Sequence, residues 1–378
     1  MVNPQFWKDR KVFLTGHTGF KGSWLTLWLR ELGAVTTGYS LKTPPSVPDL
    51  FSLANLSTEC LGGALTPSPS PRGRGEEHTA RDLRGDIGDT VRVTESLKAS
   101  GAEIVFHLAA QPLVRESYRD PAETWRVNVM GTLAVLEACR ACPTVKTIVI
   151  ITTDKVYENP ERGLAFGEDD PLGGHDPYSS SKAAAEILCA SWRRSFVESD
   201  PTRTVGLATA RAGNVIGGGD FAVDRLVPDL VRAKQAGTDT RLRYPDAVRP
   251  WQHVLEPLGG YIRLAEALHG DPRGFSTAFN FGPDKNDFRP VREVADRVSG
   301  ALGSTWIHEQ SPQVHEAGLL TLDSTRAASR LGWVPRLPFV ETLNWTSSWY
   351  AQWLAGADAR TLTLAQIRAY QTLIQAPS

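Results

Sequence analysis

The segments Thr152-Thr153-Asp154-Lys155-Val156-Tyr157 and Tyr178-Ser179-Ser180-Ser181-Lys182 hold the residues of this chain whose types and spacing can do chemistry. A tyrosine and a lysine four positions apart share one helix face, so the Lys182 ammonium can lower the pKa of the Tyr178 phenol and ready it to take a proton from an alcohol. That pair can begin an oxidation. Asp154 and Lys155 add a second acid and a second base, more than an alcohol dehydrogenase requires and what the elimination of water at a neighbouring carbon needs. The residues therefore point to an enzyme with two linked chemistries.

Gly16, Gly19 and Gly22 stand between a short β-rich run, Lys11 to Leu14, and a helix-periodic segment ending at Leu32. Glycines in a strand-turn-helix let the backbone approach a pyrophosphate, whose charge is met by the helix N-terminus. A dinucleotide is expected there, with Gly16, Thr18, Gly19, Phe20, Lys21 and Gly22 as its contacts. The second strand, Ala34 to Tyr39, runs into Ser40-Leu41-Lys42 where a ribose-binding carboxylate is usual, so residue chemistry by itself leaves NAD and NADP both open. Ser40 is the contact expected on that side. Asp86-Ile87, after a third strand near Leu83 to Ile87, would reach the adenine edge. Leu108-Ala109-Ala110 closes a fourth strand, Glu103 to Leu108, with small residues past which a cofactor can lie, and the adjacent His107 reads as a satisfied strand histidine.

Further strands at Thr147 to Thr152 and Val205 to Ala210 alternate with helical patterns, and the run Ile148-Val149-Ile150-Ile151 suits a central strand covered on both faces. The expected fold class is α/β, a Rossmann-type doubly wound parallel sheet with a smaller C-terminal substrate-binding domain. The first domain is placed at 1–213 and the cap mainly at 214–378, with chain exchange between the two allowed. In the second half helices are expected near Arg225 to Lys234, Val291 to Leu302 and Phe339 to Leu354, and strands near Arg241 to Tyr244 and Thr277 to Phe281. Trp345, Trp349 and Trp353 recur at helical spacing and read as a core stripe. The Pro/Ser then Arg/Gly stretch, centred on Thr66 to Gly75 within an insertion at about 62–80, offers nothing apolar to a core and reads as a solvated loop.

With 41 basic and 42 acidic side chains among 378 residues, the formal charge is -1, which gives no electrostatic reason to expect nucleic acid or a membrane surface as partner. No segment has the length of an apolar span, and neither a signal-peptide core nor a disulfide framework is legible, so a cytoplasmic protein is expected. Cys139 and Cys142 have CxxC spacing at a helix end and read as ordinary thiols.

Several separated segments also carry a resemblance. Asn3-Pro4-Gln5-Phe6-Trp7, Thr15-Gly16-His17-Thr18-Gly19-Phe20-Lys21-Gly22-Ser23-Trp24, Phe106-His107-Leu108-Ala109-Ala110-Gln111-Pro112, Arg211-Ala212-Gly213-Asn214-Val215-Ile216-Gly217-Gly218-Gly219-Asp220 and Arg249-Pro250-Trp251-Gln252-His253-Val254 resemble the extended short-chain dehydrogenase/reductase superfamily over almost the whole chain. Within it the pattern is most similar to the CDP-glucose 4,6-dehydratase family; dTDP-glucose dehydratases carry Asp-Glu where Asp154-Lys155 stands here. The Pro/Ser/Arg/Gly insertion is outside the family pattern.

The resemblance implies NAD as cofactor, CDP-glucose as substrate, and oxidation at C4, loss of water across C5 and C6, then reduction at C6. Tyr178 would take the C4 hydroxyl proton, Thr153 would bond the same oxygen, and Lys182 would hold the cofactor ribose. Lys155, neutral when it acts, would remove the C5 proton, and Asp154 would protonate the departing C6 hydroxyl. The product would be CDP-4-dehydro-6-deoxy-D-glucose, for deoxysugar synthesis in O-antigen, lipopolysaccharide or other cell-surface polysaccharide. Gln111 near the sugar, Asn214, Arg225, Arg249 and His253 toward the diphosphate, and Arg211 are the implied substrate contacts. Asn128 joins the implied cofactor contacts, and no metal is implied. Helices at Pro121 to Ala141 and Tyr178 to Phe196 resemble the pair that builds a four-helix interface, implying a homodimer. The competing readings are another nucleotide-sugar dehydratase or a 4-epimerase, and more remotely a non-catalytic NAD-sensing scaffold. An epimerase has no need of Asp154 and Lys155; a scaffold has no need of Tyr178 and Lys182.

Overall fold

A computed structural model describes residues 2–44, 46–57, 81–160, 163, 165–199, 204–284, 287–309 and 320–375. The Pro/Ser/Arg/Gly stretch, and the expectation attached to it, lie outside the described residues. Seven parallel strands form the central sheet: β1 (Lys11–Thr15), β2 (Val35–Ser40), β3 (Arg81–Arg84), β4 (Ile104–His107), β5 (Thr147–Ile151), β6 (Gly206–Ala212) and β7 (Ala278–Phe281), in the order β7-β6-β5-β4-β1-β2-β3. The chain winds from β1 outward to β3, then crosses back to β4 and winds the other way. That reversal opens a crevice at the carboxyl ends of β1 and β4, where ligands bind in doubly wound sheets.

Alternation explains why the central strands read as unbroken apolar runs. Ile148 and Ile150 of β5 face one core with Phe13, Val105 and Leu207, while Val149 and Ile151 face another with Val12, Leu14, Ile104 and Phe106. The first core is covered by α2 (Thr90–Ser100), α3 (Gly131–Arg140) and α4 (Pro177–Trp192), and the second by α1 (Phe20–Glu31) and α6 (Leu255–Gly270). Pro121–Trp125 and a π-helical turn, Arg126–Met130, lead into α3. The third strand lies earlier than its apolar residues suggested. Gly85 to Asp89 form a turn instead, in which Asp86 accepts the Gly88 N–H at 2.7 Å and Asp89 caps α2 by accepting the Arg92 N–H at 3.0 Å.

Further helices include α5 (Leu226–Ala236), α7 (Val291–Leu302), α8 (Phe339–Leu354) and α9 (Ala359–Gln375). Short strand pairs join 240–242 to 306–308 and 248–250 to 288–290. The second half of the chain also returns β7 to the sheet, in parallel register with β6. Trp349 is fully buried and stacks on Trp353, with Trp345 partly buried against the same core, as a packed stripe would be. Cys139 and Cys142 are buried in the first core.

Glu256 ties these parts together. Wholly buried on α6, it accepts the Arg336 and Leu337 N–H groups on Oε1 (2.8 and 2.6 Å) and the Tyr370 hydroxyl of α9 on Oε2 (2.7 Å). Burial pushes its carboxyl up to about 7, against the opposing pull of those hydrogen bonds. The folded state therefore holds a proton that the unfolded chain releases near its ordinary value, so stability falls as pH rises from about 4.5 to about 7 and is level above that. Glu256→Gln can keep all three hydrogen bonds without the titration. Its melting temperature should exceed that of the wild type at pH 8, by the equivalent of about 3 kcal/mol, and match it near pH 4.5. A variant less stable than the wild type at pH 8 would contradict this account.

Candidate active site

The helix that carries Tyr178 and Lys182 begins with its own fastening. Asp176 is the N-cap of α4, its carboxylate accepting the Tyr178 and Ser179 N–H groups at 3.0 Å each, while the Ser179 hydroxyl closes a capping box and Pro177 fills the first turn. Further along α4, Glu186 accepts from Thr152 Oγ1 (2.5 Å), Thr209 Oγ1 (2.7 Å) and Arg211 Nη2 (2.8 Å), all buried. Arg211 Nη1 donates to the Tyr157 hydroxyl at 2.8 Å, which donates to Asn280 Oδ1 at 2.7 Å. One buried network thus fixes α4 against β5, β6 and β7.

A cavity of about 650 Å³ opens over the strand ends, a size suited to a small ligand enclosed on several sides. Thr153, Lys155, Tyr178 and Lys182 line it together with Asn214. Asp154 lies behind them, in a 3₁₀ turn (Asp154–Val156) that follows β5. Its Oδ1 accepts from Thr153 Oγ1 at 2.9 Å and from Lys155 Nζ at 3.3 Å, while its buried Oδ2 has no partner. Lys155 Nζ also reaches Asn214 Oδ1 at 3.5 Å. Burial raises the Tyr178 phenol, and the Lys155 cation, followed by a hydrogen bond with Thr153, pulls it back in part. Lys182 Nζ donates to Ile151 O at 3.3 Å; burial brings its ammonium down to about 8, opposed by Glu186. The leading charge that opposes burial at Tyr178 is thus Lys155, while the Lys182 ammonium is turned onto the end of β5.

The same cavity extends over the glycine turn. Gly16, Thr18, Gly19, Phe20, Lys21, Gly22, Ser40, Asp86, Ile87, Leu108, Ala109 and Ala110 all line it. Gly16 has φ of +72°, and a Cβ there would meet the Ala109 backbone at 2.7 Å; one at Gly22 would collide with Gly16 O. Only glycine keeps this cradle open. Beside the end of β2 the Ser40 hydroxyl accepts from Thr18 Oγ1 at 3.1 Å and from Arg84 Nη1 at 3.3 Å, and Arg84 is paired with Asp82 at 2.8 Å. A serine backed by a guanidinium therefore stands where a ribose-binding carboxylate is usual.

The family model described as the NAD dependent epimerase/dehydratase family matches residues 12–280. The chain belongs to that family. It is 42% identical to a CDP-glucose 4,6-dehydratase of Salmonella typhimurium, across 98% of this chain and 99% of that one. It is 30% identical to a dTDP-glucose 4,6-dehydratase of Streptomyces antibioticus, across 71% and 75%. Among solved structures, DesIV, a dTDP-glucose 4,6-dehydratase of Streptomyces venezuelae with NAD and TYD bound, superposes with a TM-score of 0.72 at 23% identity, covering 90% of this chain and 97% of that one. The likeness to DesIV concerns the fold. NAD is the cofactor of the epimerase/dehydratase family, and the glycine cradle with the small Ala109 and Ala110 opposite has the open backbone such a dinucleotide needs.

Within this family's cleft, several residues expected at the ligands are engaged elsewhere. Arg211 is buried in the Glu186 network and does not line the cavity. His253 is wholly buried between Trp24 and Trp345, held neutral by burial that pushes it down to about 3, and its Nδ1 accepts the Leu255 N–H. Gln111 spends its amide on Leu113 and on Thr124 Oγ1 (2.8 Å), bracing the loop after β4. Asn128 is buried, bonded to the Gln111 backbone and donating to Ser181 Oγ at 2.9 Å; it knits that loop to α4 instead of facing a cofactor. The Asp86 carboxylate is held by Arg126 through paired contacts of 2.8 and 2.9 Å, so an ion pair rather than a free acid stands at the expected adenine edge. Asn214, Arg225 and Arg249 do line the cavity, Arg225 paired with Asp220 at 3.1 Å. Arg115 and Arg243, which sequence reasoning missed, join them there and share Asp224.

Removing one member of a buried ion pair leaves the other uncompensated. Arg211→Met should therefore lose about 3–5 kcal/mol in urea unfolding, and the Arg211→Met, Glu186→Gln double variant should lose less than the sum of the singles. A folded, stable Arg211→Met protein with a raised substrate KM would instead restore Arg211 to the substrate site.

Proposed function

We propose that the chain is a CDP-glucose 4,6-dehydratase that releases one water per turnover and forms CDP-4-dehydro-6-deoxy-D-glucose. The observation that carries this reading is that Lys155, with Asp154 behind it, faces the same cavity as Tyr178 and Lys182, so proton transfers at adjacent sugar carbons can share one site. The 42% identity to the Salmonella dehydratase along nearly the whole chain supports the cytidine choice. NAD, when bound over the glycine turn, supplies the oxidant at C4 and the reductant at C6.

The residues divide the remaining work. Tyr178 takes the proton of the C4 hydroxyl, with the Lys155 charge and the Thr153 hydroxyl favouring the phenolate as the proton leaves. Lys182 lies within the cavity, with its ammonium anchored on Ile151 O, and holds the nicotinamide ribose. Once C4 is a ketone, the C5 proton is acidic; Lys155 first passes its ammonium proton to the contacting Asp154 carboxylate and, now neutral, removes the C5 proton. Asp154 gives a proton to the C6 hydroxyl, which departs as water; its carboxylate adjoins the cavity through Thr153 and Lys155, both of which it contacts. Lys155 and Asp154 are in contact, so the two protons are exchanged within one hydrogen-bonded pair. Arg225 and Arg249 meet the diphosphate, and their charges offset its own.

A homodimer is part of the same proposal: Tyr118, Trp125, Met130 and Ile187 leave apolar side chains exposed on α4 and the helical segments that precede α3. Among the described residues no helix is long and apolar enough to cross a membrane. A cytoplasmic role in deoxysugar supply for lipopolysaccharide or another cell-surface polysaccharide completes the reading.

The test is incubation with CDP-, dTDP-, UDP- and GDP-glucose, scored by mass for loss of water. CDP-glucose should give a kcat/KM at least about tenfold above the others, a lower bound for a site that hydrogen-bonds the distinguishing group. Equal or faster turnover of dTDP-glucose would overturn the substrate assignment, and isomerisation without loss of water would point to an epimerase.

A further inference from the structure

The cavity is lined by several carboxylates, and among the described residues nearly all are engaged. Asp86 and Glu123 are held by Arg126, Asp220 by Arg225, Asp224 by Arg115 and Arg243, Asp229 by Arg232, and Asp49 caps the helix Leu50–Leu53. Glu309 differs. It lines the cavity and is half-buried, yet its carboxylate has no hydrogen bond or ion pair among the described residues. Its position is fixed by the backbone: the Glu309 N–H donates to Leu242 O at 2.8 Å, continuing the pairing of 306–308 with 240–242. Glu309 thus stands beside Arg241, Leu242 and Arg243, which also line the cavity.

The parts of a nucleoside diphosphate hexose divide among the walls. Under the function proposed above, on which this inference rests, the hexose lies at Thr153, Lys155 and Tyr178 and the diphosphate at Arg225 and Arg249. The wall left for the nucleoside is the strand pair that carries Glu309. A free carboxylate there can only accept hydrogen bonds. Cytosine presents an exocyclic amine, a donor, at the position where uracil and thymine present a carbonyl oxygen, an acceptor. A carboxylate therefore attracts the first base and repels the other two, and a mismatched base would leave it desolvated without a partner.

We propose that Glu309 accepts a hydrogen bond from the exocyclic amine of cytosine and so determines which nucleotide sugar the enzyme takes. An amide at this position can donate as well as accept, and so tolerates either base edge. Calorimetric binding of CDP and UDP to the NAD-loaded wild type, Glu309→Gln and Glu309→Ala tests the assignment alongside turnover of the matching glucose conjugates. The wild type should bind CDP at least about tenfold more tightly than UDP, and Glu309→Gln should bring the two within about threefold. Glu309→Ala should weaken CDP binding while leaving UDP binding level or stronger, and the loss in turnover of CDP-glucose should appear in KM. If the wild type prefers CDP-glucose and both variants keep that preference, the Glu309 assignment is wrong while the proposed function stands. If the wild type itself shows no preference, the proposed substrate fails and the Glu309 assignment fails with it.

Discussion

The buried pair of Glu186 and Arg211 is the constraint on which the site depends. Glu186 sits on the same helix as Tyr178 and Lys182, and its partners come from β6 and from Thr152, which directly follows β5 and precedes Thr153. Lys182 is one turn before Glu186, and Thr153, Asp154 and Lys155 follow Thr152 directly. One ion pair with its hydroxyl donors thus sets the separation of the two halves of the chemistry. Such a pair returns little net stability, because desolvation offsets most of its Coulomb gain. What it supplies is a fixed geometry, since any slip of α4 along the sheet leaves a charge in the core without a partner.

Burial acts on the reacting groups in one direction. It raises the Tyr178 phenol and lowers the Lys182 ammonium, moving both toward their neutral forms. The local charges then restore what chemistry needs: Lys155 favours the Tyr178 phenolate, and Glu186 favours a charged Lys182. The structural network and the catalytic one therefore share Glu186, which explains why a core ion pair lies so close to a cavity.

The fold was legible because its signals are local. The apolar run of β5, the glycines between β1 and α1, and the i,i+4 spacing of Tyr178 and Lys182 each follow from a short segment and a known period. The site residues divided according to whether burial could be inferred. Arg211, His253, Gln111 and Asn128 belong to segments that match a family pattern, yet a pattern does not reveal whether a polar side chain faces a ligand or a buried partner from another element. Arg115 and Arg243 were missed because nothing near them in sequence marks them; they meet only through Asp224, whose backbone φ of +60° turns the loop that brings them together. Helix α9 was missed because its buried positions include Thr363 and Tyr370, which dilute the apolar stripe that periodicity detects.

The central claim is that two pairs of residues act at successive stages in one cavity, and single-turnover kinetics with CDP-glucose tests it most directly. Absorbance of the reduced nicotinamide would be followed by stopped flow alongside solvent-deuterium exchange at C5. Asp154→Asn should still reduce the bound cofactor, and Lys155→Met should do so more slowly because the Lys155 charge also favours the Tyr178 phenolate; both should lose water about 10²-fold more slowly, so that reduced nicotinamide accumulates, whereas Tyr178→Phe should show neither reduction nor product. Rapid exchange at C5 in Lys155→Met with no accumulation of reduced cofactor would contradict the division of labour between the two pairs.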